Sequence, residues 1–192
     1  LVLGNATGPR VREAVLRAVS DPDTNVREAS LLAMGRIAHP SFAPTLLTVL
    51  RSTSAGSDYS SKHRNIACWA SGKLPSMPED LAERLVRQAT TPVIPVMGMM
   101  MFEPDYVLVS ACWALAEGTR RDAALTPFAE KVITMQSRDT TNSAGMGSPN
   151  ELSPSAEVRE YARQAQAYMD GKPVQAHRRP TRDVHLIYSK ID

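Results

Sequence analysis

Four segments of this chain align with one another without a gap, and that internal repetition limits the fold more than any other feature of the sequence. They begin at Val26, His63, Val107 and Val158. With Val26–Ile37 numbered as positions 1 to 12, position 8 is Ala33, Ala70, Ala114 and Ala165, and position 5 is Ser30, Ala67, Ala111 and Ala162. Positions 1, 5, 8 and 12 share one face of a helix. Small residues along that face let two helix axes come close, so each segment is read as the first helix of a unit, packed on its partner and on the next repeat. One such column can arise by chance; two in register mark a repeat.

The second half of each unit recurs as well. After Ile37 come His39-Pro40-Ser41-Phe42-Ala43-Pro44 and then Leu46, Leu47, Val49 and Leu50. Pro40 ends one helix and Pro44 suits the opening turn of the next. Leu81, Leu85 and Val86 repeat the theme after Pro75 and Pro78, and Leu125, Phe128, Val132 and Ile133 repeat it around Pro127. Between units, Asp21-Pro22-Asp23-Thr24-Asn25 is a turn whose polar side chains can cap the following helix. These signals predict helices over 9–19, 26–38, 42–52, 62–74, 79–90, 105–118, 123–136 and 156–169, with Ala33, Ala70, Ala114 and Ala165 buried.

Asp21 to Leu50, reading DPDTNVREASLLAMGRIAHPSFAPTLLTVL, resembles the short HEAT repeat of the phycobilin-lyase type. Asp-Pro-Asp, then Val-Arg, then Ala-x-Gly-x-Ile, then a Pro-led second helix match in order. The resemblance implies an all-α fold, a right-handed α-solenoid of HEAT-like helix pairs over 1–170, followed by an irregular basic tail over 171–192. Repeat starts are 37, 44 and 51 residues apart, so the later units carry insertions, one of them a flexible, Gly- and Pro-containing stretch at 137–155. The units starting at His63 and Val107 also lack the Asp-Pro turn. Gly4 and Pro9 each precede their counterparts Gly35 and Pro40 by 31 residues. Residues 1–20 therefore read as a truncated first repeat. No polar capping unit covers Leu1, Val2 and Leu3, which is the expected look of an edge with more repeats upstream.

Charge is concentrated at one end. The chain has 22 basic and 20 acidic residues, and 171–192 hold five of the former against two of the latter, so the body carries a slight negative balance. That disfavours a nucleic-acid partner, which a basic face would attract. Arg178, Arg179 and Arg182 in the tail are candidates for contact with an acidic partner, or are simply a solvated terminus. Val184 to Tyr188 alternates weakly, as a short strand or extended arm would. No run approaches the ~20 apolar residues of a membrane-spanning helix.

Two surface features stand out. Trp69 and Trp113 share position 7, which in the HEAT-like pattern faces outward, so together they could form an aromatic stripe for a protein partner; the plainer reading is that both rings cover a loop. Between a second helix and the next first helix lies an apolar segment holding Met97, Met99, Met100, Met101 and Phe102, where a polar loop is the norm. It is read as a docking loop, Met being suited to irregular surfaces, or as filler for the groove between repeats. Cys68 and Cys112 share position 6, and equivalent residues on stacked helices stand roughly 8–10 Å apart, too far for a disulfide.

The sequence offers no catalytic, metal-binding or cofactor-binding constellation. His39, His63, His177 and His185 show no ligand spacing, the His-Glu dipeptides of HEAT-type deoxyhypusine hydroxylases do not occur, and neither a nucleophile elbow nor a phosphate loop is present. The expectation is a non-catalytic protein-binding scaffold or adaptor within a multi-subunit assembly. The alternative is a HEAT-type enzyme, either a chromophore lyase or a HEAT-like DNA glycosylase.

Overall fold

The computed structural model describes residues 8–52, 59–90, 93–96, 99–137 and 155–174. It is helical throughout apart from one hairpin: α1 (Pro9–Ala18), α2 (Thr24–Ile37), α3 (Ala43–Arg51), α4 (Ser61–Lys73), α5 (Glu79–Thr90), α6 (Asp105–Thr119), α7 (Thr126–Ser137) and α8 (Ala156–Met169). Each sequence-predicted helix is found, with ends displaced by only a few residues. Leu1–Leu3, Met97, the stretch 138–154 and the tail with Arg178, Arg179 and Arg182 lie outside the described residues.

Local chemistry sets the boundaries. Asp23 is the N-cap of α2, its carboxylate accepting from the Asn25 N–H at 2.7 Å, which satisfies one of the donors a helix start leaves open. The same helix stops at Ala38, which takes a left-handed conformation (φ 51°) and donates its N–H to the Met34 carbonyl. Pro40 then makes a return to helix impossible without a turn, and a single 3-10 turn, Pro40–Phe42, leads into α3.

The helices form two layers. α2, α4, α6 and α8 pack successively on one another, and α3, α5 and α7 do the same beside them. Across the layers the close approaches are α1 on α2, α3 on α4, α5 on α6, α7 on α8 and α6 on α7. A second-layer helix therefore nests chiefly against the first-layer helix that follows it, rather than against the one in its own repeat. The small-residue columns lie at these contacts: Ala67, Ala70, Ala111, Ala162 and Ala165 are fully buried, and Ser30, Ala33 and Ala114 nearly so.

The apolar segment after α5 differs from its sequence reading as a loop. Val93–Val96 (β1) and Met99–Phe102 (β2) form an antiparallel hairpin in the register Val93 to Phe102, Ile94 to Met101, Pro95 to Met100 and Val96 to Met99. Two residues, Met97 and Gly98, separate the strands, and a two-residue connection containing Gly is a hairpin signal. Pro95 lies at a pair next to the closing Val96–Met99 pair. In such a hairpin that pair makes no ladder bonds, so the missing N–H of Pro95 is not needed.

Candidate functional site

The aromatic surface expected from Trp69 and Trp113 is not formed. Both side chains are in the core, Trp69 at 5% exposure and Trp113 at 2%. For Trp69 the cause is a glycine on the preceding first-layer helix: a Cβ on Gly35 would overlap the Trp69 ring. The absence of a side chain at position 10 of one repeat opens room for the position 7 side chain of the next. Gly72 permits a different close approach one unit on, where an added Cβ would fall 2.8 Å from the Ala114 Cα, so there it is the backbones of α4 and α6 that come together. The ring of Trp113 lies 5.4 Å from that of Tyr168 on α8, with the Arg120 guanidinium 4.9 Å from the Tyr168 centroid on its own account.

Of the apolar segment, the hairpin backbone is described and the side chains of Met99, Met100, Met101 and Phe102 are not. What the structure fixes is how the segment is held. Glu103, the residue after β2, is 3% exposed and receives Arg64 of α4 through Nε at 3.1 Å and Nη2 at 2.9 Å. The other guanidinium nitrogen of Arg64 donates to the Ser52 and Tyr59 carbonyls at 3.3 and 3.2 Å. One buried ion pair thus ties α4 to the end of α3, to the start of its own helix and to the exit of the hairpin. Two charges withdrawn from water in this way are tolerable only with their remaining donors and acceptors satisfied, and the backbone carbonyls supply that.

Arg84 of α5 extends the cluster, donating to the Leu50 carbonyl near the carboxyl end of α3 at 2.9 and 2.5 Å, a place where a cation complements the helix dipole. Cys68 lies among these groups, fully buried; burial and then the nearby Glu103 carboxylate push its thiol well above the usual range. Cys112 is pushed up to about 12 by burial. Both are free thiols held protonated, hence poor nucleophiles and poor metal ligands.

A second polar line crosses the first layer. Lys62 pairs with Glu28 at 2.7 Å, Ser110 donates to Asn65 at 2.5 Å, and Lys73 pairs with Glu117 at 2.7 Å. His63, 1% exposed, belongs to this line. Its Nδ1 accepts the Ser60 backbone N–H at 3.0 Å with the Ser60 hydroxyl at 2.9 Å, forming a capping box at the start of α4. Because a backbone N–H can only donate, Nδ1 is the acceptor and the ring proton sits on Nε2, toward the Thr24 hydroxyl 3.4 Å away on α2. The serine–histidine contact is thus used to begin a helix. Burial lowers the His63 pKa below its ordinary 6.5, against the nearby Glu28 carboxylate.

Among the described residues, no group of three or more His, Cys, Asp or Glu side chains could hold a metal ion, and no helix is long and apolar enough to cross a membrane. An open concavity with room for two or three side chains lies between α5 and α7. It is a groove of about 340 Å³ lined by Glu83, Val86, Arg87, Pro127, Phe128 and Lys131. Sequence reading passed over it, although the signal was present: Glu83 and Pro127, and Arg87 and Lys131, are each separated by the 44 residues that separate the two repeats.

Compared with protein-family models, with curated proteins and with solved structures, the chain matches none.

Proposed function

We propose that this chain is a right-handed α-solenoid of HEAT-like helix pairs, and that it serves as a non-catalytic scaffold or adaptor holding protein partners in a multi-subunit assembly. The observation that carries this reading is the stacking of successive repeats. The position 10 glycine of one first-layer helix admits a residue of the next, from Gly35 to Trp69 and again from Gly72 to Ala114. Layers built this way extend by adding units, each contacting its neighbours, and present long surfaces to partners. The polar groups of the interior support the same reading. His63, which caps the start of its own helix, and Arg64 and Glu103, which join one element to another, are all engaged inside the protein.

Purification of the natural full-length protein from its source, under native conditions and with mass determination, tests the proposal. Stoichiometric partner proteins are the expected result. A protein recovered alone as a monomer would overturn it, and recovery with a bound tetrapyrrole, or base-excision activity on damaged DNA, would move the assignment to the chromophore lyases or the DNA glycosylases.

A further inference from the structure

The groove between α5 and α7 has a floor of one kind and walls of another. Val86 is buried and Phe128 half-buried, so the floor is apolar, while Glu83, Arg87, Pro127 and Lys131 are exposed around it. The 44-residue offset makes Arg87 and Lys131 equivalent positions on successive helices, and likewise Glu83 and Pro127. The two cations therefore flank the groove at one level. On α5, Glu83 stands one turn earlier, where Cβ atoms four residues apart are roughly 5–6 Å from each other.

None of the three charged residues forms an ion pair or a side-chain hydrogen bond among the described residues, although Glu83 and Arg87 have the i, i+4 spacing that normally favours one. The charge of Arg87 also reaches Arg84, whose own guanidinium is turned inward to the Leu50 carbonyl. The two cations at this level thus stand without an ion-pair partner among the described residues, beside an apolar floor. Such a place gains most from an anion that arrives attached to an apolar group.

We propose that the α5–α7 groove is the docking site for a partner segment in which a carboxylate side chain lies next to a bulky apolar one. The carboxylate sits between Arg87 and Lys131, and the apolar side chain rests on Val86 and Phe128. Glu83 sets the direction of the segment, since it repels a second carboxylate and accepts a backbone N–H or a basic side chain at the other end. The volume, about 340 Å³, admits two or three side chains, which is the scale of a short linear motif rather than of a folded face. The inference rests on the scaffold reading and gives that reading an address.

The test is selection of a random twelve-residue phage-displayed peptide library on the immobilised chain, run in parallel on the Arg87→Glu/Lys131→Glu variant. On the unaltered chain the enriched peptides should place Asp or Glu within two residues of Leu, Ile, Phe or Trp. Their synthetic copies should lose at least ~10-fold in affinity for the variant, while its melting temperature is unchanged because both positions are exposed. Selection on the variant should turn to basic–apolar peptides.

Enriched peptides that bind both proteins equally would overturn the proposal, as would enrichment without acidic residues, or none at all. Displacement by a twelve-residue oligothymidylate as effective as by the peptides would make the groove a general anion site. A change of solution mass in the variant would make the occupant a second copy of the chain. Each of these outcomes leaves the scaffold reading standing, because that is decided by what accompanies the natural protein.

Discussion

Helices α4 and α5 belong to the same repeat, are nearly equal in length and are both rich in polar residues, yet they treat those residues in opposite ways. α4 is buried from His63 through Gly72. Its His63, Arg64, Asn65 and Ser71 each find a partner inside the protein, Ser71 by donating back to the Ala67 carbonyl at 2.7 Å. α5 buries only one face, with Leu81, Leu85 and Ala89 inward and Glu79, Asp80, Glu83 and Arg87 outward. A helix enclosed on every side cannot leave a polar group unsatisfied without a large penalty, so polarity in α4 is structural. A helix with a wet face can, and the uncommitted charges of α5 are where recognition is possible. The residue type is a poor guide to a site here; the layer in which it stands is a better one.

The sharpest way to break that comparison is to unpair the buried charge. Glu103→Ala leaves Arg64 enclosed with its carboxylate gone, and should destabilise the fold by about 3–5 kcal/mol, read by urea denaturation. The double variant Arg64→Met/Glu103→Leu should recover most of that loss, since an apolar pair of similar size needs no partner. A Glu103→Ala variant as stable as the parent would show that the pair is solvated and that α4 is not sealed.

Next in size is the contact between repeats. Gly35→Val puts atoms where the Trp69 ring lies, and overpacking of this kind typically costs about 1–3 kcal/mol. Trp69→Leu alone also destabilises, by leaving a void. The two together should be less harmful than the sum, because the smaller side chain at 69 makes room for the larger one at 35. Strict additivity in a double-mutant cycle would mean that the two positions do not touch, and the account of why Trp69 is buried would fall.

These two contacts show what a sequence can and cannot disclose. The eight helices were legible because each is announced locally, by a small-residue column, a capping Asp or a helix-ending Pro. The burial of Trp69 was not, because it is decided 34 positions away by a missing side chain at Gly35. The ion pair joins residues 39 apart with no periodic signal between them. The hairpin was hidden by its composition, since Met-rich strands with an internal Pro look unlike strands until the register places Pro95 where no N–H is required. Of the candidate site, Arg87 and Lys131 were within reach, as the repeat offset that aligned the first helices aligns them too, but only the structure shows the groove between them.

A smaller effect, but a diagnostic one, comes from His63. Its pKa is lowered in the fold by burial, so the unfolded chain binds the proton more readily. Stability contributed by neutral His63 is therefore complete above the unfolded value near 6.5 and declines as pH falls below it. Protonation also removes the Nδ1 acceptor of the α4 capping box. His63→Gln keeps an acceptor at this third helical position, as capping boxes commonly do, without a titrating group. Melting temperature measured from pH 7.5 to pH 5 should fall for the parent and fall less for the variant. Parallel curves would place the acid sensitivity elsewhere and detach His63 from the enclosed layer.

The smallest effect is expected on the open side, and its smallness is the point. Arg87 and Lys131 are exposed and make no ion pair among the described residues. Replacing both with Glu removes no internal partner, and surface changes of this sort usually move stability by no more than about 0.5 kcal/mol. Equilibrium denaturation of the variant against the parent settles it. A loss approaching that of Glu103→Ala would mean that Arg87 or Lys131 holds the α5–α7 contact together. The charges of α5 would then be as structural as those of α4, the difference between the two layers would vanish, and the groove would lose its claim to be a docking site before any peptide is tried.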